Sequence, residues 1–117
     1  MAGGSQHAGP GESCLSWRRM ERSRVRRRLV QVSKRLVAAR EELSVVDEQL
    51  RQLRETEEEA RVRSLVSETP LADRELVEAR RHTATMAASR EAIQAELRRL
   101  ERTQADLLDQ LPLELPD

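Results

Sequence analysis

The chain is almost free of aromatic residues: its 117 residues include one tryptophan and no phenylalanine or tyrosine. Because aromatic side chains supply much of the buried area of compact small domains, a single rounded core is not expected. The one cysteine, Cys14, excludes an internal disulfide framework and a metal site built from several thiolates. All four glycines lie within the first 11 residues, which excludes a glycine-rich phosphate loop in the rest of the chain.

Long apolar runs are also absent, so no membrane span is expected. The segment from Met1 to Pro10 lacks the apolar stretch of a signal peptide, and the expected location is therefore cytoplasmic. What the chain has in abundance is charge, at 36% of residues, with 21 basic and 21 acidic side chains and a net charge of zero. That balance excludes a uniform polycation or polyanion, although it leaves room for local asymmetry.

Two long segments without glycine or proline, Trp17 to Val66 and Leu71 to Leu111, flank the sequence Ser67-Glu68-Thr69-Pro70. A capping hydroxyl followed by proline is a strong start signal for a helix, and Pro112 cannot continue one. We therefore expect helix 1 at about 18–66, a turn at 67–70 and helix 2 at about 71–111. Residues 1–17 are predicted to be a disordered tail, with Met20 as an alternative start of translation, and residues 112–117 a short Pro/Leu tail.

Apolar residues recur at alternating steps of four and three in both segments, which is the spacing of a coiled-coil seam. The seam of helix 1 comprises Val25, Leu29, Val32, Leu36, Ala39, Leu43, Val46, Leu50, Leu53, Glu57 and Ala60. The seam of helix 2 comprises Leu76, Ala79, Thr83, Met86, Arg90, Ile93, Leu97, Leu100, Gln104, Leu107 and Leu111. If Leu50 faces Met86, every layer pairs residues whose numbers sum to 136, and the fold-back falls at residue 68. The prediction is an all-α fold, a two-helix antiparallel coiled-coil hairpin occupying 18–111. Arg90, a charged seam residue, is expected to reach Asp47 on the facing helix.

Apolar residues outside the seams are candidates for binding a partner. Val30, Val37 and Val45 lie on the side of helix 1, and Leu65, Val66 and Leu71 lie with Glu68 at the tip, where a tight turn cannot bury them. A two-helix hairpin buries little surface per residue, so the side face could pack two copies into a four-helix bundle.

A block of arginines opens helix 1, with seven guanidinium groups in 11 residues: Arg18, Arg19, Arg22, Arg24, Arg26, Arg27 and Arg28. Such a block is typical of an anionic partner such as nucleic acid. The hairpin, however, returns the C-terminal acids to the same end, namely Asp106, Asp109, Glu114 and Asp117. We expect a largely balanced end, and nucleic-acid binding is the less favoured alternative.

Catalytic chemistry has little support. His7 and His82 stand alone, and no His or Cys pair has the spacing of metal ligands. Serines and threonines lack a partner base, and solvated glutamates have no reason to shift their pKa into a catalytic range. We expect no enzyme, no metal and no cofactor.

The heptad pattern and arginine-rich composition resemble small uncharacterised coiled-coil hairpin proteins of high-GC bacteria. The hairpin and its tip also resemble the N-terminal coiled coil of bacterial transcript-cleavage factors, which insert into the secondary channel of RNA polymerase. In those factors tip acids help to hold a catalytic magnesium, and only Glu68 and Asp73 could match them here. The resemblance covers the hairpin alone.

Three hypotheses follow. The leading one is a non-catalytic protein-interaction module, an adaptor or small accessory subunit whose rigid hairpin binds a larger cytosolic protein. The second is a regulator that binds nucleic acid or RNA polymerase through the arginine-rich end or the acidic tip. The third is a homo-oligomeric structural rod, with a homodimer as its simplest form.

Overall fold

The computed structural model describes residues 10–111, with side chains from residue 16 onward. It contains two helices, α1 (Pro10–Ser67) and α2 (Pro70–Gln110), and the described residues hold no strand. Two residues separate the helices, so the chain reverses direction in one tight turn. The fold is therefore all-α, a helical hairpin, as the sequence predicts.

Helix α1 begins earlier than expected, at Pro10 instead of near residue 18. Proline suits the first position of a helix because its missing N–H would have no intrahelical partner there. The predicted disordered tail, 1–17, thus overlaps the first turns of α1, and its residues 1–9 lie outside the described residues. The predicted Pro/Leu tail, 112–117, also lies outside them.

The chain divides into two compact units. The tip unit comprises residues 36–99, and the terminal unit comprises residues 10–35 and 100–111 of the described chain. In the tip unit, seam residues such as Leu36, Leu50 and Ala60 retain 1–3% of their exposure. In the terminal unit the buried seam residues are Val32, Leu100 and Leu107. Every predicted seam position is buried or half-buried, which confirms the heptad reading.

Polar contacts between the helices confirm the register within each unit. In the tip unit, the Thr83 hydroxyl donates to the Ala79 carbonyl of its own helix at 3.0 Å and shares this hydrogen with the Leu53 carbonyl across the hairpin at 3.4 Å. The numbers 53 and 83 sum to 136. The predicted contact between Arg90 and Asp47 is present as an ion pair. In the terminal unit, the Gln104 side-chain amide donates to the Ser33 hydroxyl at 3.3 Å, one residue from its predicted layer partner.

The turn is closed by backbone capping at both helix ends. The Glu68 N–H donates to the Ser64 carbonyl at 3.2 Å, and Glu68 takes a left-handed φ of 52°. This is the single-bond αL cap that ends many helices, usually with glycine at this position. The Thr69 hydroxyl then accepts a hydrogen bond from the Ala72 N–H at 3.2 Å, so Thr69 caps α2 and Pro70 takes its first position.

Candidate interaction surfaces

The tip presents three large apolar side chains to solvent. Leu65, Val66 and Leu71 remain 65%, 79% and 59% exposed. The core near the turn consists instead of two alanines and one leucine, Ala60, Ala72 and Leu76, and all three are buried. The tip residues therefore lie outside the hairpin's own core, as the sequence predicts.

Two more exposed valines, Val62 at 47% and Val77 at 52%, lie near the same end of the tip unit and are absent from the predicted set. The heptad pattern could have identified them as exposed apolar residues. Neither residue falls on a seam position, since each lies one or two residues from its nearest seam neighbour, Ala60 or Leu76.

Side-chain contacts across the turn hold the tip in one arrangement. The Ser64 hydroxyl donates to a carboxylate oxygen of Asp73, and the Arg63 guanidinium lies 3.8 Å from the Glu75 carboxylate. Together with the two caps, these contacts link the last turn of α1 to the first turn of α2. The backbone that bears the exposed apolar side chains of the tip is thus held in one conformation.

The predicted side-face valines are exposed as well. Val30 and Val37 retain 54% of their exposure and Val45 retains 56%. Val30 belongs to the terminal unit, and Val37 and Val45 belong to the tip unit. All three lie on α1, outside its seam.

The predicted arginine block lies on α1 in the terminal unit. Six of its members are exposed, and Arg22 is half-buried. Among the described residues, the acids expected to balance the block, Asp106 and Asp109, form no ion pair with it. Glu114 and Asp117 lie outside the described residues.

One electrostatic interaction in the tip unit shifts a pKa. Arg61 donates two hydrogen bonds to the Glu58 carboxylate, at 3.0 Å and 2.7 Å. These bonds hold the pKa of Glu58 below its ordinary value and raise that of Arg61. Glu58 is one of four acidic side chains near the end of α1, with Glu55, Glu57 and Glu59, so this pair offsets part of that charge within the same helix.

Metal-binding chemistry has no framework in the part of the chain that the structure describes. No group of three or more His, Cys, Asp or Glu side chains there is placed to hold an ion. Of the two tip acids compared above with those of transcript-cleavage factors, Asp73 accepts a hydrogen bond from Ser64 and Glu68 is exposed. Within the described residues, no helix is long and apolar enough to cross a membrane.

Comparison of the chain with known protein families, with curated proteins and with solved structures finds no match. Function must therefore be inferred from the exposed side chains and their arrangement. What it offers is exposed apolar groups on a fixed turn, exposed valines along α1, and a basic face at the start of that helix.

Proposed function

We propose that the protein is a non-catalytic interaction module whose hairpin tip binds a larger cytosolic protein. The observation that carries this proposal is the exposure of Leu65, Val66 and Leu71 at a turn that is fixed by hydrogen bonds. Exposed apolar groups gathered at one end of a fold are typical of a partner-binding site. A hairpin that ends in such groups can act as an adaptor or as an accessory subunit.

Burial of the three tip side chains would supply part of the free energy of a complex. Burying an exposed leucine or valine contributes about 1.5–3 kcal/mol. Since the three side chains are only partly exposed, together they would contribute about 3–6 kcal/mol, against about 8 kcal/mol for a micromolar complex. The remaining free energy would come from neighbouring side chains such as Val62 and Val77.

The fixed turn adds to this energy by lowering the cost of binding. Ordering a mobile loop on association opposes affinity, and a preorganised segment avoids that loss. Glu68 adopts a left-handed conformation that costs an ordinary L-residue about 1–2 kcal/mol. Glu68 takes this conformation because it closes α1, and the caps at both helix ends hold it there, so a partner would not need to order the turn.

The test compares two triple variants of the full chain as bait in a nuclease-treated native lysate, washed at high salt. The tip variant carries Leu65→Ser, Val66→Ser and Leu71→Ser, and the control carries Val37→Ser, Val45→Ser and Leu108→Ser. Each set removes three exposed apolar side chains, so both variants should keep the helical circular dichroism of the wild type. We expect mass spectrometry to identify a protein that the wild type and the control capture and the tip variant does not. A partner retained by the tip variant would refute the proposal.

A second candidate, self-association, is favoured by the exposure of Val30, Val37 and Val45 on α1. A two-helix layer leaves much apolar surface uncovered, and a four-helix bundle of two hairpins would cover it. The substitution Val30→Asp with Val37→Asp should then halve the mass measured by light scattering. A mass that does not change would remove this interface.

A further inference from the structure

The start of α1 carries a basic face in the terminal unit. Between residues 16 and 35 this helix has nine basic side chains and one acid, Glu21. Arg24, Arg27 and Lys34 follow one another at steps of three and seven, which places them on the side of α1 that is opposite its seam. All three are exposed, and so is Arg28 beside them. We call Arg24, Arg27, Arg28 and Lys34 the basic face.

These cations have no acidic counterpart among the described residues. None of the four forms an ion pair there, and neither Asp106 nor Asp109 on α2 is paired with them. The tip unit differs in its charge balance, since its 11 basic side chains are accompanied by 14 acidic ones, and Arg51, Arg61 and Arg99 each pair with a glutamate of their own helix. The charges of the basic face are therefore available to an outside anion.

The surface also has room for a ligand that lies along the helix. A shallow groove of about 430 Å³ adjoins the first half of the basic face and is lined by Ser16, Arg19, Met20, Ser23, Arg24 and Arg27. From Arg24 to Lys34 the helix rises about 15 Å, at 1.5 Å per residue. Over that length one strand of B-DNA presents about four phosphates, at 3.4 Å of axis per strand. The number of cations on the basic face matches this.

We propose that the basic face binds the phosphate backbone of double-stranded nucleic acid. Three of its four cations are arginines, whose planar guanidinium groups donate two hydrogen bonds to one phosphate. The only aromatic residue of the chain is Trp17, so it has no series of rings on which unpaired bases could stack, and a duplex fits better than a single strand. Met20 and Val30 are exposed beside the basic face, but they are isolated among charged side chains and do not form the broad apolar face with which a helix enters a bilayer, which makes a lipid surface the poorer ligand.

This site lies in the terminal unit and shares no residue with the tip. The interaction is one of charge with backbone phosphates, so it carries no sequence preference. Its affinity should depend steeply on salt, since each neutralised phosphate releases a counterion and contributes about −0.9 to the slope of log K against log salt. Four contacts predict a slope of about −3 to −4.

The experiment measures fluorescence anisotropy of a labelled mixed-sequence DNA duplex with the full chain, over a salt series starting at about 50 mM. The test variant is Arg24→Gln with Arg27→Gln and Arg28→Gln. The matched control is Arg54→Gln with Arg74→Gln and Arg80→Gln, which removes the same charge from exposed, unpaired positions of the tip unit. The test variant should bind at least ~10-fold more weakly, with a slope smaller by about 2–3, and the control should stay within about 2-fold of the wild type.

Three outcomes would overturn the proposal. The first is an equal loss of affinity in both variants, which would show an effect of net charge alone. The second is the absence of saturable binding to the duplex at low salt. The third is binding to vesicles of equal parts phosphatidylserine and phosphatidylcholine without binding to the duplex. The tip variant should bind the duplex as the wild type does, so failure of this proposal and failure of the tip proposal are distinguishable.

Discussion

The two units of the molecule use arginine in different ways. The tip unit, residues 36–99, has 11 basic and 14 acidic side chains, and several of its arginines lie in ion pairs with its own acids. The described terminal unit has ten basic and five acidic side chains, and its basic face is unpaired among the described residues. Acidic side chains therefore outnumber basic ones in the tip unit, whereas the terminal unit has an excess of basic side chains, most of them exposed.

The same contrast holds for apolar side chains near the turn. The tip unit connects its helices by capping bonds, by Ser64 and Asp73, and by Arg90 and Asp47. Near the turn the capping bonds, the contact of Ser64 with Asp73 and the buried Ala60, Ala72 and Leu76 hold the helix ends together, while Leu65, Val66 and Leu71 stay exposed. A turn that is held by its own contacts leaves the apolar side chains beside it free to contact another protein.

The largest expected effect comes from removing one core leucine in each unit. Leu50 is 3% exposed in the tip unit and Leu107 is 1% exposed in the terminal unit. Either leucine-to-alanine substitution should lower the free energy of unfolding by about 2–4 kcal/mol. Since only the tip unit contains the turn, Leu107→Ala should accelerate amide exchange in residues 10–35 and 100–111 while residues 36–99 stay protected.

Hydrogen exchange with mass spectrometry checks this contrast, and urea unfolding gives the energies. Val45→Ala is the control, because Val45 is 56% exposed and its loss should cost less than about 0.5 kcal/mol. Uniformly faster exchange along the whole chain in the Leu107→Ala variant would mean that the two units unfold together.

Much of this fold is readable from the sequence because local and long-range patterns coincide there. The seams alone define the register, and Thr69 with Pro70 independently marks the fold-back, as the hydrogen bond from Thr83 to Leu53 confirms. The start of α1 at Pro10 was not predicted, because a glycine-containing and serine-containing segment gives no periodic signal. The sequence also led us to expect that Asp109 would balance the arginine block, and among the described residues the structure shows no ion pair between them. A heptad position fixes where the backbone lies, but a long side chain at that position can still adopt several rotamers.

Removing the strained residue of the turn should have the next largest effect. Glycine has no Cβ to clash at a φ of 52°, so Glu68→Gly relieves the cost of the left-handed conformation and adds backbone entropy to the unfolded state. The net gain in the free energy of unfolding should be about 0.5–1 kcal/mol, measured by urea unfolding. The neighbouring Ser67→Gly lies inside α1 and should destabilise by a similar amount. A loss of stability in both variants would contradict the strain argument.

A smaller effect is expected from the ion pair that links the helices of the tip unit. The side chains of Arg90 and Asp47 retain 34% and 46% of their exposure, so water screens much of their attraction. A double-mutant cycle with Arg90→Leu and Asp47→Ala should give a coupling free energy of about 0.3–1 kcal/mol. Because Leu restores an apolar seam, the Arg90→Leu variant by itself should be no less stable than the wild type. A coupling that is unchanged at high salt would exclude an ion pair as its origin.

The smallest effect concerns the exposed pair of Glu58 and Arg61. The hydrogen bonds from Arg61 lower the pKa of Glu58 in the folded chain, so their stabilisation is present above the ordinary pKa of a glutamate and is lost as the pH falls through the lowered value. The Arg61→Gln variant should therefore melt slightly below the wild type at neutral pH, and the two melting curves should converge in acid. An NMR titration of the Glu58 carboxyl should show its pKa rising in this variant and staying unchanged in Arg98→Gln, whose exposed side chain is far along the hairpin from Glu58 and makes no ion pair among the described residues. The same pKa in all three proteins would mean that Arg61 leaves the Glu58 carboxylate free in solution, and that local pairing does not distinguish the tip unit from the terminal unit at this position.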